Sequence, residues 1–421
     1  MKIAVIGGGS SYTPELMEGL IGRAKALELK EVWLHDIAEE RLEVVAGFCA
    51  RMAKAAGSKL SIRPTLDLAE AVKGARFVIA QIRVGGNAAR REDELLGARH
   101  GLIGQETTGV GGFAKALRTV PAMLDICKVI ERESPRAFLV NFTNPSGLVT
   151  EAVLKHSKVR AIGLCNIPIT FHLELAKALG LPREKVALDY VGLNHLSWVR
   201  GVLANGKDVT EKVMAWAGAA GRPASLEELD YPPEFIRALG MIPMHYLRYY
   251  YLTARMIAEQ KKMPRTRAEE VMEIEQRLME IYRDPTADRK PELLGQRGGA
   301  HYSLAALELI EGIKSDRGDV QVLNVENQGA VPGLDDDAVV EVPCRVGKHG
   351  AATELTEEPG PEIMGLIRTV KAYETLTIQA AVERDYNKAL LALAVHPLGP
   401  DADHVKPVLD DVIATHGINL E

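Results

Sequence analysis

Cysteine is rare in this 421-residue sequence, and long apolar runs are absent. Cys49, Cys127, Cys165 and Cys344 are scattered and form no Cys-x-x-Cys pair, so we expect four free thiols rather than a disulfide framework. No apolar run reaches the roughly 18 residues that a membrane-spanning helix needs. The apolar N-terminal run is too short for a signal peptide and leads into glycines, so we expect a cytoplasmic protein with no membrane partner.

A basic tract is also missing. The chain carries 51 Lys and Arg against 57 Asp and Glu, a formal charge of -6, so we expect no nucleic-acid partner. With 47% hydrophobic and 26% charged residues, the composition excludes intrinsic disorder and collagen-like repeats. One core would be unusually large at this length, which favours two domains.

Short apolar strands alternate with amphipathic helices in the first part of the chain. We predict a helix at 39–56 and strands at 2–6, 31–36, 59–63, 76–82, 137–142 and 159–164. This alternation predicts parallel strands joined by crossover helices, which is a doubly wound α/β sheet of Rossmann type.

The pattern changes after about residue 185. Helical spans at 264–283 and 361–395 flank strands predicted near 319–325 and 338–343, which is typical of an α+β arrangement. We therefore predict a Rossmann-like domain at 1–185 and an α+β domain at 186–421. No low-complexity linker separates them, so we expect a large shared interface.

A glycine turn follows the first predicted strand. Gly7 and Gly9 match G-x-G, but Tyr12 stands where the full dinucleotide fingerprint has glycine. A helix follows, and Asp36 ends the next strand, where its carboxylate can accept both ribose hydroxyls and would repel a 2′-phosphate. The alternative is a turn that only closes a strand–helix corner. We predict an NAD site formed by Gly7, Gly9, Ser10, Ser11 and Asp36.

Two further strands end in residues that can bind a metal ion. Cys165 follows the strand AIGL, and His195 lies in GLNHLSW after another strand-like run. Ligands of open parallel sheets bind at the carboxyl ends of strands, and a thiolate with an imidazole can hold a transition-metal ion. The residues alone leave this pairing open, since an isolated histidine on an apolar strand is more often a core residue.

Tyrosines and arginines supply the remaining candidates. Four of the eleven tyrosines lie in the segment 246–251, where packing between domains is the simplest interpretation. A tyrosine acting as a base would need a nearby cation or metal, because its ordinary pKa is near 10. Guanidinium groups suit phosphate, although any single arginine is more often a solvated charge. The candidates are Arg83, Arg90, Arg91 and Arg297.

Nine sequence blocks, distributed along essentially the whole chain, carry a resemblance to a known family. In order they are IAVIGGGSSYTPEL, IRVGGNAARREDE, GLIGQETTGVGG, VNFTNPSG, GLCNIP, GLNHLSW, YLRYYY, RGGAHYS and HPLGP. In these blocks the chain resembles the family 4 glycoside hydrolases, an NAD-dependent exception to two-carboxylate glycoside hydrolysis. The CNIP form of the Cys165 block resembles the 6-phospho-β-glucosidase branch.

The resemblance implies a lactate/malate-dehydrogenase-like architecture, with NAD and a divalent metal, usually manganese, as cofactors. It also implies a homodimer or homotetramer and a phosphorylated disaccharide or aryl glucoside as substrate. The family's metal ligands fall on Cys165 and His195, and its catalytic base falls on Tyr246, with a slip to Tyr249 or Tyr250 left open. The substrate residues it implies are Arg90, Asn144, Asn166 and Arg297.

The implied reaction is an oxidation–elimination–addition–reduction sequence that releases the aglycone and glucose 6-phosphate. Oxidation at C3 acidifies the C2 proton, which Tyr246 removes as general base. Two alternatives stay open: an NAD-dependent 2-hydroxyacid dehydrogenase of the lactate/malate type, and a regulator that binds NAD and sugar phosphate without turnover. Net NADH accumulation would distinguish the dehydrogenase.

Overall fold

The computed structural model describes residues 1–216, 231–298 and 301–421. Residues 299 and 300 of the RGGAHYS block therefore lie outside the described residues. Over the described ranges, every helix is too short or too polar to cross a membrane.

The strands and helices alternate through the first half of the chain. The strands are β1 (Lys2–Ile6), β2 (Glu31–His35), β3 (Ser61–Thr65), β4 (Phe77–Ala80), β5 (Phe138–Asn141), β6 (Arg160–Gly163), β7 (Val186–Leu193), β8 (Leu196–Ala204), β9 (Lys207–Asp208), β10 (Ile242–Pro243), β11 (Asp319–Glu326), β12 (Val339–Gly347) and β13 (Gly350–Thr353). The helices are α1 (Thr13–Arg23), α2 (Glu39–Ala55), α3 (Leu68–Val72), α4 (Gly86–Arg99), α5 (Gly109–Glu133), α6 (Ser146–His156), α7 (Asn166–Leu179), α8 (Thr210–Trp216), α9 (Pro233–Leu239), α10 (Arg248–Tyr251), α11 (Thr253–Gln260), α12 (Arg267–Arg283), α13 (Tyr302–Ser315), α14 (Pro361–Glu383), α15 (Tyr386–Val395) and α16 (Val405–His416).

The main sheet contains the doubly wound arrangement that the sequence predicts. Its first six strands are parallel and lie in the order β3-β2-β1-β4-β5-β6. Strands β4 and β5 are buried at every residue, as expected where helices cover both faces. The edge strand β3 begins two residues later than predicted and contains Pro64, which an edge position tolerates because that side needs no ladder hydrogen bond.

The second half of the chain completes this same sheet. Strands β11, β12 and β13 continue it antiparallel beyond β6, with Asn324 opposite Gly163. A smaller antiparallel sheet joins β10, β8 and β7, and its β7–β8 connection is the two-residue turn Asn194–His195. The strands predicted near 319–325 and 338–343 therefore belong to the Rossmann sheet, a pairing that local sequence does not specify.

The helical span predicted at 361–395 is divided into α14 and α15. Arg384 has a positive φ of 59°, and the side chain of Asp385 accepts a hydrogen bond from the Lys388 amide at 2.9 Å. This cap starts the second helix in a new direction. Elsewhere, the rings of Phe48 and Tyr282 stack at 4.5 Å and join α2 to α12, so the two halves share one core.

Candidate active site

The glycine turn and Asp36 lie together at the carboxyl end of β1. Gly7 has a φ of +88°, and a Cβ there would meet the Gln81 carbonyl oxygen at 2.8 Å. The Gly9 amide donates to Asp36 Oδ2 at 2.9 Å, and the Ala38 amide donates to Oδ1 at 3.1 Å. The turn therefore needs glycine for conformation and space, and it fixes the carboxylate that the sequence assigns to a ribose.

Glu275 on α12 connects the glycine turn to Arg297. The Ser11 hydroxyl is buried and donates to Glu275 Oε1 at 2.7 Å, and Arg41 lies 3.1 Å from the same oxygen. Arg297 approaches it only at 3.7 Å, and its buried Nε has no hydrogen-bond partner in the described part of the chain. Burial raises the pKa of Glu275, but Arg297 and Arg41 bring it below its usual value. Arg297 thus keeps a donor free for a ligand.

A second cationic group surrounds Glu106, which follows the GLIGQ segment. Its carboxylate pairs with Arg83, with Lys115 at 2.7 Å and with Arg90 at 3.4 Å. Burial would raise the pKa of Glu106, but these three cations hold it well below its usual range. Burial also lowers the pKa of Lys115 to about 8. These three cations outnumber their carboxylates, Glu106 and the Glu94 partner of Arg90, and create an environment that favours an anion.

The arginines of these two groups lie close to one another. Burial lowers the pKa of Arg297, and the charges of Arg83 and Arg90 lower it further, while Glu275 opposes them. Arg90 also donates to Glu94 at 2.8 Å. Like charges at this proximity are costly without an anion between them, so the arrangement fits a phosphate group. Arg91 instead pairs with Glu269 at 2.7 Å, away from this group.

Cys165 and His195, whose pairing the residues alone leave open, line one narrow cavity in the structure. Cys165 precedes α7, and its sulfur accepts from the Ile167 amide at 3.5 Å. His195 occupies the β7–β8 turn with a φ of +64°, an uncommon conformation for a residue with a Cβ. Asn166 is the first residue of α7, beside Cys165.

The electrostatics of this cavity suit a cation. Burial lowers the pKa of His195 to about 3, so its imidazole is neutral and able to bind a metal. Burial raises the pKa of the Cys165 thiol, and a bound cation would favour its thiolate. No group of three or more His, Cys, Asp or Glu side chains forms a metal site among residues 1–216, 231–298 and 301–421. Two protein ligands would leave positions open for substrate oxygens.

Of the clustered tyrosines, Tyr246 lines the same cavity. Its ring stacks on His195 with centroids 3.9 Å apart, whereas Tyr249 packs beside Ile103. Burial raises the pKa of Tyr246, and the neighbouring Tyr249 raises it further.

Arg90 connects Tyr246 to the cationic group. Burial lowers the pKa of Arg90, but Glu106 and Glu94 raise it above its usual value, and Tyr246 adds a smaller effect in that direction. The candidate base therefore lies between the candidate metal ligands and the candidate phosphate site.

Asn144 precedes Pro145 in the turn between β5 and α6. Its Oδ1 is buried and has no hydrogen-bond partner within the described ranges, which is the state expected of a polar group that binds a ligand. Asn87, which donates to Glu275 at 3.0 Å, has a similarly unpartnered buried Oδ1.

Several residues near the site are not among the site residues predicted from the sequence. Ile37 is 92% exposed beside Asp36, and Glu341 on β12 lines the Cys165–His195 cavity. Lys115 and Glu341 each interrupt an otherwise apolar segment, which is a signal that sequence reading can detect. Glu275 receives Ser11, Arg41 and Asn87 from distant segments, and this pairing has no local signal in the sequence.

Comparisons with known proteins match this chain to one family along nearly its whole length. The family 4 glycosyl hydrolase model matches residues 2–181, and the model of that family's C-terminal domain matches residues 190–399. A probable 6-phospho-beta-glucosidase of Bacillus subtilis is 42% identical over 99% of this chain and 96% of its own length. The Thermotoga maritima 6-phospho-beta-glucosidase BglT is 42% identical over 98% of both chains.

Solved structures of the same family and of the same fold also match this chain. The Thermotoga maritima 6-phospho-beta-glucosidase with manganese, NAD⁺ and glucose-6-phosphate matches with a TM-score of 0.93 and 40% identity, over 100% of this chain and 99% of that one. Malate dehydrogenase of Plasmodium falciparum is 14% identical over 91% of this chain and 99% of that one, with a TM-score of 0.54, and shares the fold. The predicted malate-dehydrogenase-like architecture is confirmed. The chain belongs to glycosyl hydrolase family 4.

Proposed function

We propose that this protein hydrolyses 6-phospho-β-glucosides to glucose 6-phosphate and an aglycone, with NAD and a divalent metal ion, manganese, as resident cofactors. The observation that carries the proposal is the position of Tyr246 between Arg90 and His195. One sugar can place its phosphate group at Arg90, its acidified C–H bond at Tyr246 and a hydroxyl near the metal position beside His195.

The β configuration is supported by the relatives. Three 6-phospho-β-glucosidases are 39–42% identical to this chain, whereas five relatives named as α-glucosidases or maltose-6′-phosphate glucosidases are 28–31% identical. The higher identity to the 6-phospho-β-glucosidases favours the β configuration.

The phosphate is assigned to Arg90 and Arg297. Both are largely buried, and Arg297 has an unpartnered Nε that a phosphate oxygen would accept from. The unpartnered Oδ1 of Asn144 accepts from a sugar hydroxyl. Together these side chains fix the sugar at both ends, which is the positioning that the chemistry requires.

The cofactors are assigned to the two strand-end sites. Gly7, Gly9, Ser10, Ser11 and Asp36 hold NAD, and Cys165 and His195 hold the metal ion, with Asn166 beside them. When bound, NAD takes and returns a hydride at the sugar C3, and the metal ion polarises the neighbouring oxygens.

Tyr246 removes the C2 proton as general base. Burial raises its pKa, so its phenolate needs positive charge nearby. Arg90 supplies one such charge, and the metal position beside His195 supplies another. Stacking on His195 holds the Tyr246 ring beside the assigned metal position.

We also propose a cytoplasmic homo-oligomer without a nucleic-acid partner. The four cysteines are free and buried, which suits a reducing compartment, and the net charge of -6 disfavours polyanions. Light scattering after size-exclusion chromatography tests the homodimer or homotetramer against a monomer.

The direct test uses p-nitrophenyl 6-phospho-β-glucoside, its unphosphorylated form and its α-anomer, each with and without NAD and Mn²⁺. We expect nitrophenol release from the phosphorylated β-substrate when both cofactors are present, with no net NADH. Accumulation of NADH would indicate a dehydrogenase, and binding without release would indicate a non-catalytic regulator.

A further inference from the structure

Two of the buried carboxylates, Glu151 and Glu341, differ in whether a cation lies beside them. Glu151 on α6 is fully buried and pairs with Lys371 at 2.6 Å and with Lys155 at 3.1 Å. Glu341 on β12 is 1% exposed, yet it forms no ion pair with any lysine, arginine or histidine that the structure describes. An ionised carboxylate that is buried without a cation is costly, so a positive charge close to Glu341 would stabilise its ionised form.

Glu341 lies within hydrogen-bond distance of four neutral side chains. Tyr190 donates to Oε2 at 2.7 Å, and Asn194 donates to Oε1 at 2.9 Å. Asn324 adds a bond to Oε1 at 3.2 Å, and Ser197 adds one to Oε2 at 3.4 Å. These neutral groups fix the carboxyl group of Glu341 but place no positive charge beside it.

Glu341 lies beside the site that the proposed function assigns to the metal ion. Glu341 lines the same cavity as Cys165 and His195. Its partner Asn194 directly precedes His195 in the β7–β8 turn and also accepts from the Gly147 amide at 3.3 Å. The carboxylate therefore holds the turn that presents His195 and faces the site assigned to the metal.

We infer that Glu341 is the outer-sphere anion of the metal site, a positioning residue that raises metal affinity through its charge and through Asn194. The inference rests on the proposed function, which assigns the metal to Cys165 and His195. Glu341 does not join them as a third ligand, because its oxygens are occupied by donors and the described residues contain no three-ligand group.

The test compares Glu341→Gln with Glu151→Gln as a matched control. A glutamine at 341 keeps one acceptor oxygen for Asn194 and Asn324, and its amide can donate to the Tyr190 or Ser197 oxygen, so this variant mainly removes charge. Mn²⁺ binding to metal-free protein is followed by the electron paramagnetic resonance of free Mn²⁺, with NAD present. Thermal unfolding is recorded without metal and with saturating Mn²⁺.

We expect Glu341→Gln to weaken Mn²⁺ binding about ten- to hundred-fold, the range found for residues that orient metal ligands. Its metal-free form should melt at or above the parent temperature, because an uncompensated charge is gone. Glu151→Gln should melt lower with or without Mn²⁺ and bind the ion as the parent does, because it breaks an ion pair away from the site.

Two results would overturn the inference: parental Mn²⁺ affinity in Glu341→Gln, or a metal-free melting temperature lowered as far as in Glu151→Gln. A parent protein that binds no Mn²⁺ would instead refute the metal site of the proposed function, and the inference with it. Tyr190→Phe is a second variant, which keeps the charge but removes its shortest hydrogen bond. Its Mn²⁺-induced rise in melting temperature should exceed that of the parent, and a smaller rise would contradict the inference.

Discussion

The glycine turn takes its residues from one short segment and from Asp36, which directly follows β2, whereas the Cys165–His195 cavity collects side chains from β7, β8, β12 and the segments after β6 and β10. The turn is defined by backbone hydrogen bonds and by the absence of a Cβ. The cavity is defined by side chains that meet only after the sheet and the second half of the chain are assembled. We therefore expect a mutation in one region to leave the function of the other region intact.

This difference assigns separate roles to the two regions. Changes at the turn should affect NAD affinity and leave the metal site intact. Changes in the cavity should affect turnover, and changes to its metal ligands should also affect metal affinity, while NAD remains bound. Arg90 belongs to neither region, and its loss should appear in the response to the substrate phosphate.

The largest effect is expected in the cavity. Cys165→Ser or His195→Ala should lower kcat by about 10³-fold or more, which corresponds to roughly 4 kcal/mol of activation free energy. Steady-state kinetics measures the loss, and fluorescence titration checks that NAD still binds. A variant that loses NAD binding together with activity would contradict the separation of the two regions.

Tyr246→Phe removes the proposed base without removing a ligand. Loss of a general base costs about 10²- to 10⁴-fold in rate, so kcat should fall by at least about 10²-fold. Mn²⁺ affinity should stay at the parental level. Tyr249→Phe is the matched control, and a larger loss in that variant would move the base to Tyr249.

Arg90→Ala should raise KM for the phosphorylated substrate by about 10- to 100-fold, since a charge-assisted hydrogen bond contributes roughly 1.5–3 kcal/mol. Arg90→Lys should restore only part of the loss, because a lysine lacks the planar fork. Measurement on phosphorylated and unphosphorylated glucosides separates the effects. Equal losses on both would place Arg90 outside the phosphate site.

At the glycine turn, Asp36→Ala should weaken NAD binding by roughly 1–3 kcal/mol, since charged acceptor bonds to the ribose disappear. Mn²⁺ affinity should not change. Glu39→Ala, which removes an exposed acid on α2, serves as control. Parental NAD affinity in a binding titration of Asp36→Ala would contradict the assignment to the ribose.

The smallest effect concerns pH. Burial lowers the pKa of Lys115 to about 8, so this lysine is charged below that pH and neutral above it. When Lys115 loses its proton, Glu106 retains only Arg83 and Arg90 as cationic partners. The interaction of Arg90 with Glu106 then competes with its interaction with the phosphate. KM should rise by roughly threefold as pH increases through 8, a size typical of a screened charge interaction. Lys115→Met should abolish this inflection, and an unchanged profile would contradict the account.

The sequence predicted the features that depend on neighbours along the chain. The strand ends at Gly7, Asp36 and Cys165 follow from local apolar runs and turn residues. The addition of β11–β13 to the first sheet does not, because strand pairing across more than 150 residues has no local signal. For the same reason the donors of Glu341 are visible only in the fold, although an acid inside the apolar run VVEVP was a detectable anomaly.

The central claim is that Tyr246 acts on a C2–H bond during NAD-dependent elimination from a 6-phospho-β-glucoside. Hydrolysis in heavy water, with NAD and Mn²⁺ present, tests it most directly. The account predicts glucose 6-phosphate that carries deuterium at C2, with NAD recovered in its oxidised form. Product that contains no deuterium at C2 would contradict it.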